Sequence, residues 1–242
     1  MVSSIITNNN WNLPDILHRW RGRIGQPNMD ENDQYIWKGT ASGKFSVSSA
    51  WNLLRTPHPK VTYSFMLWHP WHIPRHSFTL WLAIKGRLRT LDRTYGGRRG
   101  ESENLCKLCN RHPETHNHLF FQCNYAQDVW RMVNVRNPFK WPEDIPWNQV
   151  WEWGATRFNC KGVACHRIPC MILATTVYHI WYERNARTFN NHFSSTAEKS
   201  EEILSTIRLK LASVEDRHTV TNEVLAQWGI DLQRDSGLRE EN

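Results

Sequence analysis

Four residues between positions 106 and 123 have the side chains and the spacing of a metal site. Cys106 and Cys109 are separated by two residues, His118 follows after eight more and Cys123 after another four, which gives the pattern C-x2-C-x8-H-x4-C. Zinc prefers thiolate and imidazole ligands, and two cysteines at this spacing can bind one edge of its tetrahedron. Because four protein ligands leave no position for water, the pattern predicts a structural zinc site rather than a catalytic one.

Two neighbouring histidines compete with His118 for the third ligand position. Only two residues separate His112 from Cys109 along the chain, which is a poor reach for the far edge of a tetrahedron. His116 has a workable spacing and stays open as an alternative. The preferred assignment is therefore Cys106, Cys109, His118 and Cys123.

Three further cysteines, Cys160, Cys165 and Cys170, recur every five residues. Five-residue steps rotate by about 140° on a helix, so these three thiols cannot share one helical face. A second metal site would need a loop at this place. The simpler interpretation is that they are buried or incidental thiols.

A basic segment leads directly into the metal pattern. Six basic residues stand there with a single acid, Asp92: they are Lys85, Arg87, Arg89, Arg93, Arg98 and Arg99. Neutralising phosphates supplies most sequence-independent affinity for nucleic acid, so the segment predicts contact with RNA or single-stranded DNA. Tyr95 and either Phe120 or Phe121 are candidates for stacking on unpaired bases. Alternatively, the arginines form a solvated face or lie over tryptophan rings.

Hydrophobic periodicity predicts a mainly α fold with a small β-hairpin and a CCHC zinc-knuckle-like loop. The hairpin is expected over residues 35–47, followed by a helix capped by Ser46 or Ser48. The helix after Pro74 is apolar around most of its circumference, which predicts that it is buried. Further helices are predicted over 124–133, 168–189 and 197–214. Five tryptophans are expected in the core: Trp51, Trp68, Trp71, Trp81 and Trp130.

The expected organisation has four parts. Residues 1–34 form a linker-like segment, 35–136 the zinc-binding domain, 137–148 a proline-rich loop and 149–242 a helical C-terminal region. The loop assignment depends on Pro138, Pro142 and Pro146 within a short stretch.

The composition is that of a globular protein, with 40% hydrophobic and 22% charged residues. Thirty Lys and Arg against 23 Asp and Glu give a formal charge of +7, which favours polyanionic partners. No segment has the pattern of a secretory signal or a membrane span. We therefore expect an intracellular, reducing environment, in which cysteines at short spacing favour metal over disulfide bonds.

Four segments together resemble the zinc-binding region of reverse transcriptases from plant LINE-type, non-LTR retrotransposons. WKGTASGKFSVSSAWNLL (Trp37–Leu54) resembles its Ser-Gly-x-Phe-Ser-Val-x-Ser-Ala block, and Leu67–Arg93 its Ile-Pro, Phe-x-x-Trp-Leu and Arg-Leu-x-Thr segment. Cys106–Trp130, with Glu114-Thr115 and His118-Leu119-Phe120, resembles the metal motif, and WYERNARTF (Trp181–Phe189) resembles a downstream Trp-x-x-Arg-Asn segment. The resemblance runs from about Trp11 to about Trp228.

The resemblance implies that residues 35–136 are a reverse-transcriptase-type zinc-binding domain with the zinc ligands Cys106, Cys109, His118 and Cys123. In that family the region is taken to help the enzyme hold its nucleic acid, which implies an RNA or DNA partner, a possible polymerase partner and a nuclear location. These implications come from the family and not from composition.

Catalytic constellations are not visible in the sequence. The chain contains no Asp-Asp pair of the kind that holds polymerase metals, and its aspartates stand singly, whereas a ribonuclease H gathers several carboxylates around Mg²⁺. Enzyme activity is therefore not expected. The alternative to a nucleic-acid-binding module is a structural or protein-interaction module, or a decaying retroelement relic, in which zinc only stabilises the fold.

Overall fold

The computed structural model describes residues 5–8, 10–20, 22–27, 35–95, 104–137, 141, 146–158, 166–214 and 220–230. The chain divides into two units, residues 1–59 and 60–242, and each is described by itself. The domain bounds expected from the sequence, at 35, 137 and 149, stay predictions.

The first unit contains the two strands of the described chain. Strand β1 (Ile6–Thr7) pairs antiparallel with β2 (Asn10–Trp11), in a register that places Ile6 opposite Trp11. Asn8 makes the tight turn between them with φ of 51°, a left-handed conformation that asparagine tolerates better than most residues. A 3₁₀ helix over Asp15–Trp20 follows.

The hairpin expected over residues 35–47 is wrong in position, since no strands form there. A single backbone hydrogen bond from Trp37 N–H to the Gly43 carbonyl, 2.8 Å long, closes a turn in which Gly43 has φ of 68°. The Trp37 and Phe45 rings meet edge to face at 5.1 Å, and one such bond and one ring pair do not make a ladder. Helix α1 (Val47–Leu54) begins as predicted, because Ser46 forms a capping box with Ser49.

The second unit is helical over its described residues. Its elements are α2 (Ser64–Leu67), α3 (Pro74–Ile84), α4 (Leu91–Tyr95), a π-helix (His118–Gln122), α5 (Asn124–Asn134), α6 (Trp147–Arg157), α7 (Arg167–Phe189), α8 (Thr196–Ser213) and α9 (Asn222–Gln227). The predicted fold class, mainly α with a small β-hairpin and a CCHC zinc-knuckle-like loop, is confirmed: the described chain is mainly helical, with a two-stranded antiparallel sheet and a Cys3His cluster.

Helix α7 is the central element of this unit, and α3, α5 and α8 pack against it. Of the stripe predicted at Leu173, Val177, Ile180 and Trp181, the first three residues are buried and Trp181 is partly buried. Burial goes beyond the stripe, because every residue of 168–177 is buried. The face predicted for α5 is also buried and meets α8, as its amphipathic pattern requires. Among the described residues, no helix is both long enough and apolar enough to cross a membrane.

Two expectations about burial are wrong. Helix α3 is not buried all round: Leu80 and Ala83 face the core, whereas Phe78 is 52% exposed. Trp51 and Trp68, which were expected in the core, are 65% and 49% exposed, while Trp71 and Trp130 are buried and Trp81 is partly buried. An indole's size favours burial but does not enforce it, because the neighbouring elements decide which rings are covered.

Packing of α3 on α7 buries His76 completely. Its Nδ1 lies 3.1 Å from Thr175 Oγ1, and its ring stacks on that of Tyr178 with centroids 4.2 Å apart. Burial, with His179 and Arg75 nearby, lowers the pKa of His76 from 6.5 to about 3. As the pH falls, His76 is therefore protonated in the unfolded chain at a higher pH than in the folded protein. The stability that neutral His76 contributes is complete above pH 6.5 and is lost as the pH falls towards its folded-state pKa.

We expect this histidine alone to lower the free energy of unfolding by about 2 kcal/mol between about pH 7 and about pH 5. His76→Gln should remove that share of the pH dependence because glutamine does not titrate. Urea unfolding of wild type and variant at both pH values gives the comparison, and protonation of other groups cancels in the difference. Equal pH dependence of the two proteins would contradict the prediction.

Candidate metal centre

The four residues of the metal pattern come together in the fold. One ligand atom from each of Cys106, Cys109, His118 and Cys123 lies within 4.8 Å of all the others. The Cys106 and Cys123 sulfurs are 3.9 Å apart, and Cys109 Sγ lies 3.2 Å from His118 Nε2. Two thiolates on one tetrahedral zinc ion are separated by about 3.8 Å, so these sulfurs already have the required spacing.

The first two ligands lie on a tight turn. The Asn110 N–H donates to the Cys106 carbonyl at 2.8 Å, and Asn110 takes a left-handed conformation with φ of 53°. The Cys106 N–H in turn donates to the His112 carbonyl at 2.8 Å, and Leu105 forms an isolated antiparallel bridge with Pro113. These bonds fold the backbone so that both thiols point to the same side, as a C-x2-C turn must.

The other two ligands stand at the two ends of the π-helix. Thr115 Oγ1 accepts the His118 N–H at 3.1 Å, and the Cys123 N–H donates to the His118 carbonyl at 2.7 Å. The wide turn brings the imidazole and the Cys123 thiol to the same side while Phe120 faces the core. Cys123 is also the residue that precedes α5, a position where the helix dipole favours a thiolate.

The pKa values of the thiols reflect their crowding. A hydrogen bond to Cys123 together with burial raises the pKa of Cys106 to about 12. The pKa of Cys123 is lowered, first by that same bond from Cys106 and then by the backbone N–H groups of Ala126 and Tyr125. A bound divalent cation favours the thiolate form of each ligand, so zinc would supply the positive charge that this cluster of sulfurs lacks.

The alternatives to His118 occupy other places. His116 Nδ1 lies 3.2 Å from Thr90 Oγ1, and its ring is buried away from the thiols. The His112 ring stands 5.4 Å from that of His118 and contributes no ligand atom to the cluster. Cys170 is a buried thiol in α7, as expected, and burial raises its pKa to about 12. Cys160 and Cys165 lie outside the described residues.

A buried ion pair attaches the metal loop, which we define as residues 106–123, to α7. The Arg184 guanidinium donates to both carboxylate oxygens of Glu114, with its shortest contact at 2.7 Å, and both side chains are buried. Glu114 also accepts the Leu91 N–H at 3.0 Å and so joins three parts of the chain. Sequence reasoning missed this pair, although both residues lie in the quoted resemblance segments. The available signal was that Glu183 and Arg184 follow Ile180 by three and four residues and so continue its apolar stripe, where a charged side chain needs a partner.

Arg187 holds the same loop from one turn further along α7. It donates to the Leu108 carbonyl, between the first two cysteines, at 2.9 Å and to the Ser194 carbonyl at 3.0 Å. Its charge is balanced by buried Glu183 at 2.8 Å, which Lys199 of α8 also approaches at 3.4 Å. The metal loop is therefore positioned by side chains that lie about 80 residues away in sequence, as the Arg187–Leu108 separation of 79 shows.

The basic segment lies beside this loop. Thr90 contacts His116, the Leu91 N–H donates to the Glu114 side chain, and the Asp92 N–H donates to the Glu114 carbonyl at 3.3 Å. Lys85, Arg87 and Arg89 are exposed, and in the part of the chain that the structure describes no carboxylate forms an ion pair with them.

The remaining members of the segment differ from these three. Arg93 donates to the Gly86 carbonyl, a bond that holds the turn after α3. Arg98 and Arg99 lie outside the described residues, and so does the side chain of Tyr95. Arg87 lies over the Trp81 ring at 5.9 Å, which agrees with the alternative that an arginine covers a tryptophan. Stacking of bases on Phe120 or Phe121 is wrong because both rings are buried in the core.

Three thiols and one imidazole around a single point, on a mainly helical frame, define a protein of the Cys3His metal-binding class. Residues 45–130 match the family of zinc-binding domains in reverse transcriptase, so the chain contains a zinc-binding module of the reverse-transcriptase type. The match begins at Phe45 and ends at Trp130, and it includes all four residues of the cluster.

Two proteins of Arabidopsis thaliana are similar to the chain. One, named "Putative ribonuclease H protein", is 24% identical over 164 residues, which are 57% of this chain and 26% of that protein. The other, named "Uncharacterized mitochondrial protein", is 32% identical over 95 residues, which are 38% of this chain and 64% of that protein. The chain thus spans about a quarter of the first relative and less than two thirds of the second. No solved structure matches.

Proposed function

We propose that this chain is a non-catalytic, zinc-dependent module that binds RNA or single-stranded DNA, with Cys106, Cys109, His118 and Cys123 as the zinc ligands. The single observation that carries the proposal is the attachment of an exposed basic segment to the Cys3His loop by the hydrogen bonds at Thr90, Leu91 and Asp92. Zinc would act as a cross-link that fixes the loop, because four protein ligands leave no open position for chemistry. The nuclear location suggested by the resemblance remains part of this proposal.

The charges favour a phosphate backbone as partner. Lys85, Arg87 and Arg89 are exposed and stand within five residues of one another, without an acidic partner among the described side chains. Each phosphate contact with a single strand contributes about 0.7 to the slope of log K against log salt concentration. Removing three such charges should therefore change both affinity and its salt dependence.

We expect the triple variant Lys85→Gln, Arg87→Gln, Arg89→Gln to lower that slope by about 2 in magnitude if all three side chains contact phosphates. Fluorescence anisotropy of the zinc-loaded chain with a labelled oligouridylate, titrated at several salt concentrations, measures it. Arg93 is left unchanged because its contact with the Gly86 carbonyl is structural.

The matched control removes the same amount of charge elsewhere. Lys38, Lys44 and Arg55 are exposed residues of the first unit, and their change to glutamine lowers the net charge by the same three units. The control should retain most of the salt slope. If both triple variants lose the same amount of salt slope, the effect comes from net charge and not from the basic segment. If the wild-type protein does not bind the oligonucleotide, the proposal is overturned.

A protein-interaction role is favoured by one observation in the first unit. Val47, Trp51 and Leu54 follow one another on α1 at spacings of four and three, and all three are exposed. An apolar stripe of this kind is typical of a helix that meets another protein surface. The anisotropy titration tests the first role against this one, because an oligonucleotide left unbound by the zinc-loaded chain would exclude nucleic-acid binding.

A further inference from the structure

Aromatic side chains with basic neighbours lie on α3 and on α7, two helices that pack together. We call this set of side chains the α3–α7 face and define it by Arg75, Phe78, Trp81, Tyr178 and Tyr182. Phe78 and Trp81 lie with ring centroids 5.6 Å apart, and Tyr178 and Tyr182 stack at 6.2 Å. Phe78 and Tyr182 are more than half exposed, so they offer ring surface to a partner.

The two ring pairs are joined by Arg75. Its guanidinium lies 5.4 Å from the Tyr178 ring centroid, and it precedes Phe78 by three residues on the same side of α3. At the other end of α3, Arg87 lies over Trp81 at 5.9 Å. The α3–α7 face therefore alternates cations with aromatic rings and continues, through Arg87, into the basic segment.

Neither helix of the face exposes a negative charge, and the exposed carboxylate beside them, Glu202 of α8, is paired with Lys199 at 2.8 Å. Helix α3 has no acidic residue, and the only one in α7 is Glu183, which is fully buried. Exposed rings with cations between them, on helices that themselves expose no carboxylate, match the way proteins bind single-stranded nucleic acids, where bases stack on side-chain rings and cations follow the phosphates. The bases of a duplex are already stacked and cannot use such rings.

We propose that the α3–α7 face binds an unpaired strand of nucleic acid by stacking bases on Phe78 and Tyr182. This inference rests on the proposed function and adds to it where the bases lie and why the strand must be single. Lys85, Arg87 and Arg89 would contact the phosphates of the same strand. A purely electrostatic module would instead bind single strands and duplexes through charge alone.

The test uses the zinc-loaded full chain and two probes, a labelled oligouridylate of about 12 nucleotides and a labelled RNA duplex of about the same length. Phe78→Ala and Tyr182→Ala should each weaken single-strand binding about 5-fold, the low end of the range for one stacked base, and leave duplex binding unchanged. Phe78→Trp and Tyr182→Phe keep a ring and should restore the affinity. Both sites are exposed, so the fold should survive each change.

Leu209→Ala is the control, since Leu209 is 66% exposed on α8 and lies on another helix. If the Lys85, Arg87 and Arg89 variant weakens binding while both alanine variants bind like wild type, the stacking proposal fails and the proposed function stands. Equal weakening of single-strand and duplex binding by the alanine variants also overturns stacking. If wild type binds neither probe, both proposals fail together.

Discussion

Cys123→Ser should abolish zinc binding and cost the second unit its cooperative unfolding transition. Zinc binding to sites of this ligand type is worth about 10–16 kcal/mol at neutral pH, which is as large as the whole stability of a typical domain. Cys123 contributes one sulfur to the cluster and immediately precedes α5, and Trp130 of α5 donates its indole N–H to the Phe120 carbonyl at 2.8 Å. Loss of the ion should therefore spread from the loop into the core around α5.

Mass spectrometry under native conditions measures the stoichiometry, with one zinc ion per wild-type chain expected and none for Cys123→Ser or Cys106→Ser. Cys170→Ser is the matched control, because Cys170 is equally buried but lies in α7 away from the cluster. Cys170→Ser buries the same hydroxyl group and should lower the free energy of unfolding by about 1–3 kcal/mol, but the variant should still bind zinc. The metal assignment would be wrong if the wild-type protein contained no zinc and unfolded in the same way with and without a strong chelator.

Arg184→Met should destabilise the fold by about 3–5 kcal/mol, the usual cost of leaving one member of a buried ion pair without its partner. Glu114 would remain fully buried with only backbone N–H donors, among them that of Leu91 at 3.0 Å. Because Glu114 lies between the ligands Cys109 and His118, zinc affinity should fall as well, by about 10–100-fold as for other residues that position metal ligands.

Urea unfolding and competition with a chromophoric chelator measure the two effects. Arg131→Met is the control, since Arg131 forms an ion pair of similar length with Asp128, 2.6 Å against 2.7 Å, on the exposed side of α5. Such exposed pairs contribute less than about 1 kcal/mol. Glu114→Gln combined with Arg184→Met should recover much of the loss, because the buried charge is then removed. Equal costs for Arg184→Met and Arg131→Met would contradict the role given to the buried pair.

Several elements could be predicted because their causes are local. The C-x2-C turn, the capping serine of α1 and the apolar stripes of α5 and α7 depend on residues within one or two helical turns. The cluster of Cys106, Cys109, His118 and Cys123 was predicted for the same reason, since the spacing of the ligands confines them to one short loop. The buried thiol Cys170 followed from its helical context.

Other expectations failed where burial depends on distant parts of the chain. Trp51 and Trp68 were expected in the core and are exposed, whereas Phe120 and Phe121 were expected to meet bases and are buried. Side-chain size is the same in either environment, so composition cannot say which ring another helix will cover. The hairpin expected at 35–47 failed because strand pairing needs a continuing ladder of hydrogen bonds, which residue types alone do not specify.

The sequence by itself predicted a Cys3His cluster, which four residues form it, and that a basic segment precedes it. Only the tertiary structure decided that Glu114 and Arg184 join the loop to α7, and that Arg75 of α3 lies over the Tyr178 ring of α7. The physical reason is range. Ligand spacing and helical periodicity act over a few residues, whereas an ion pair across 70 residues of chain forms only once the helices have packed.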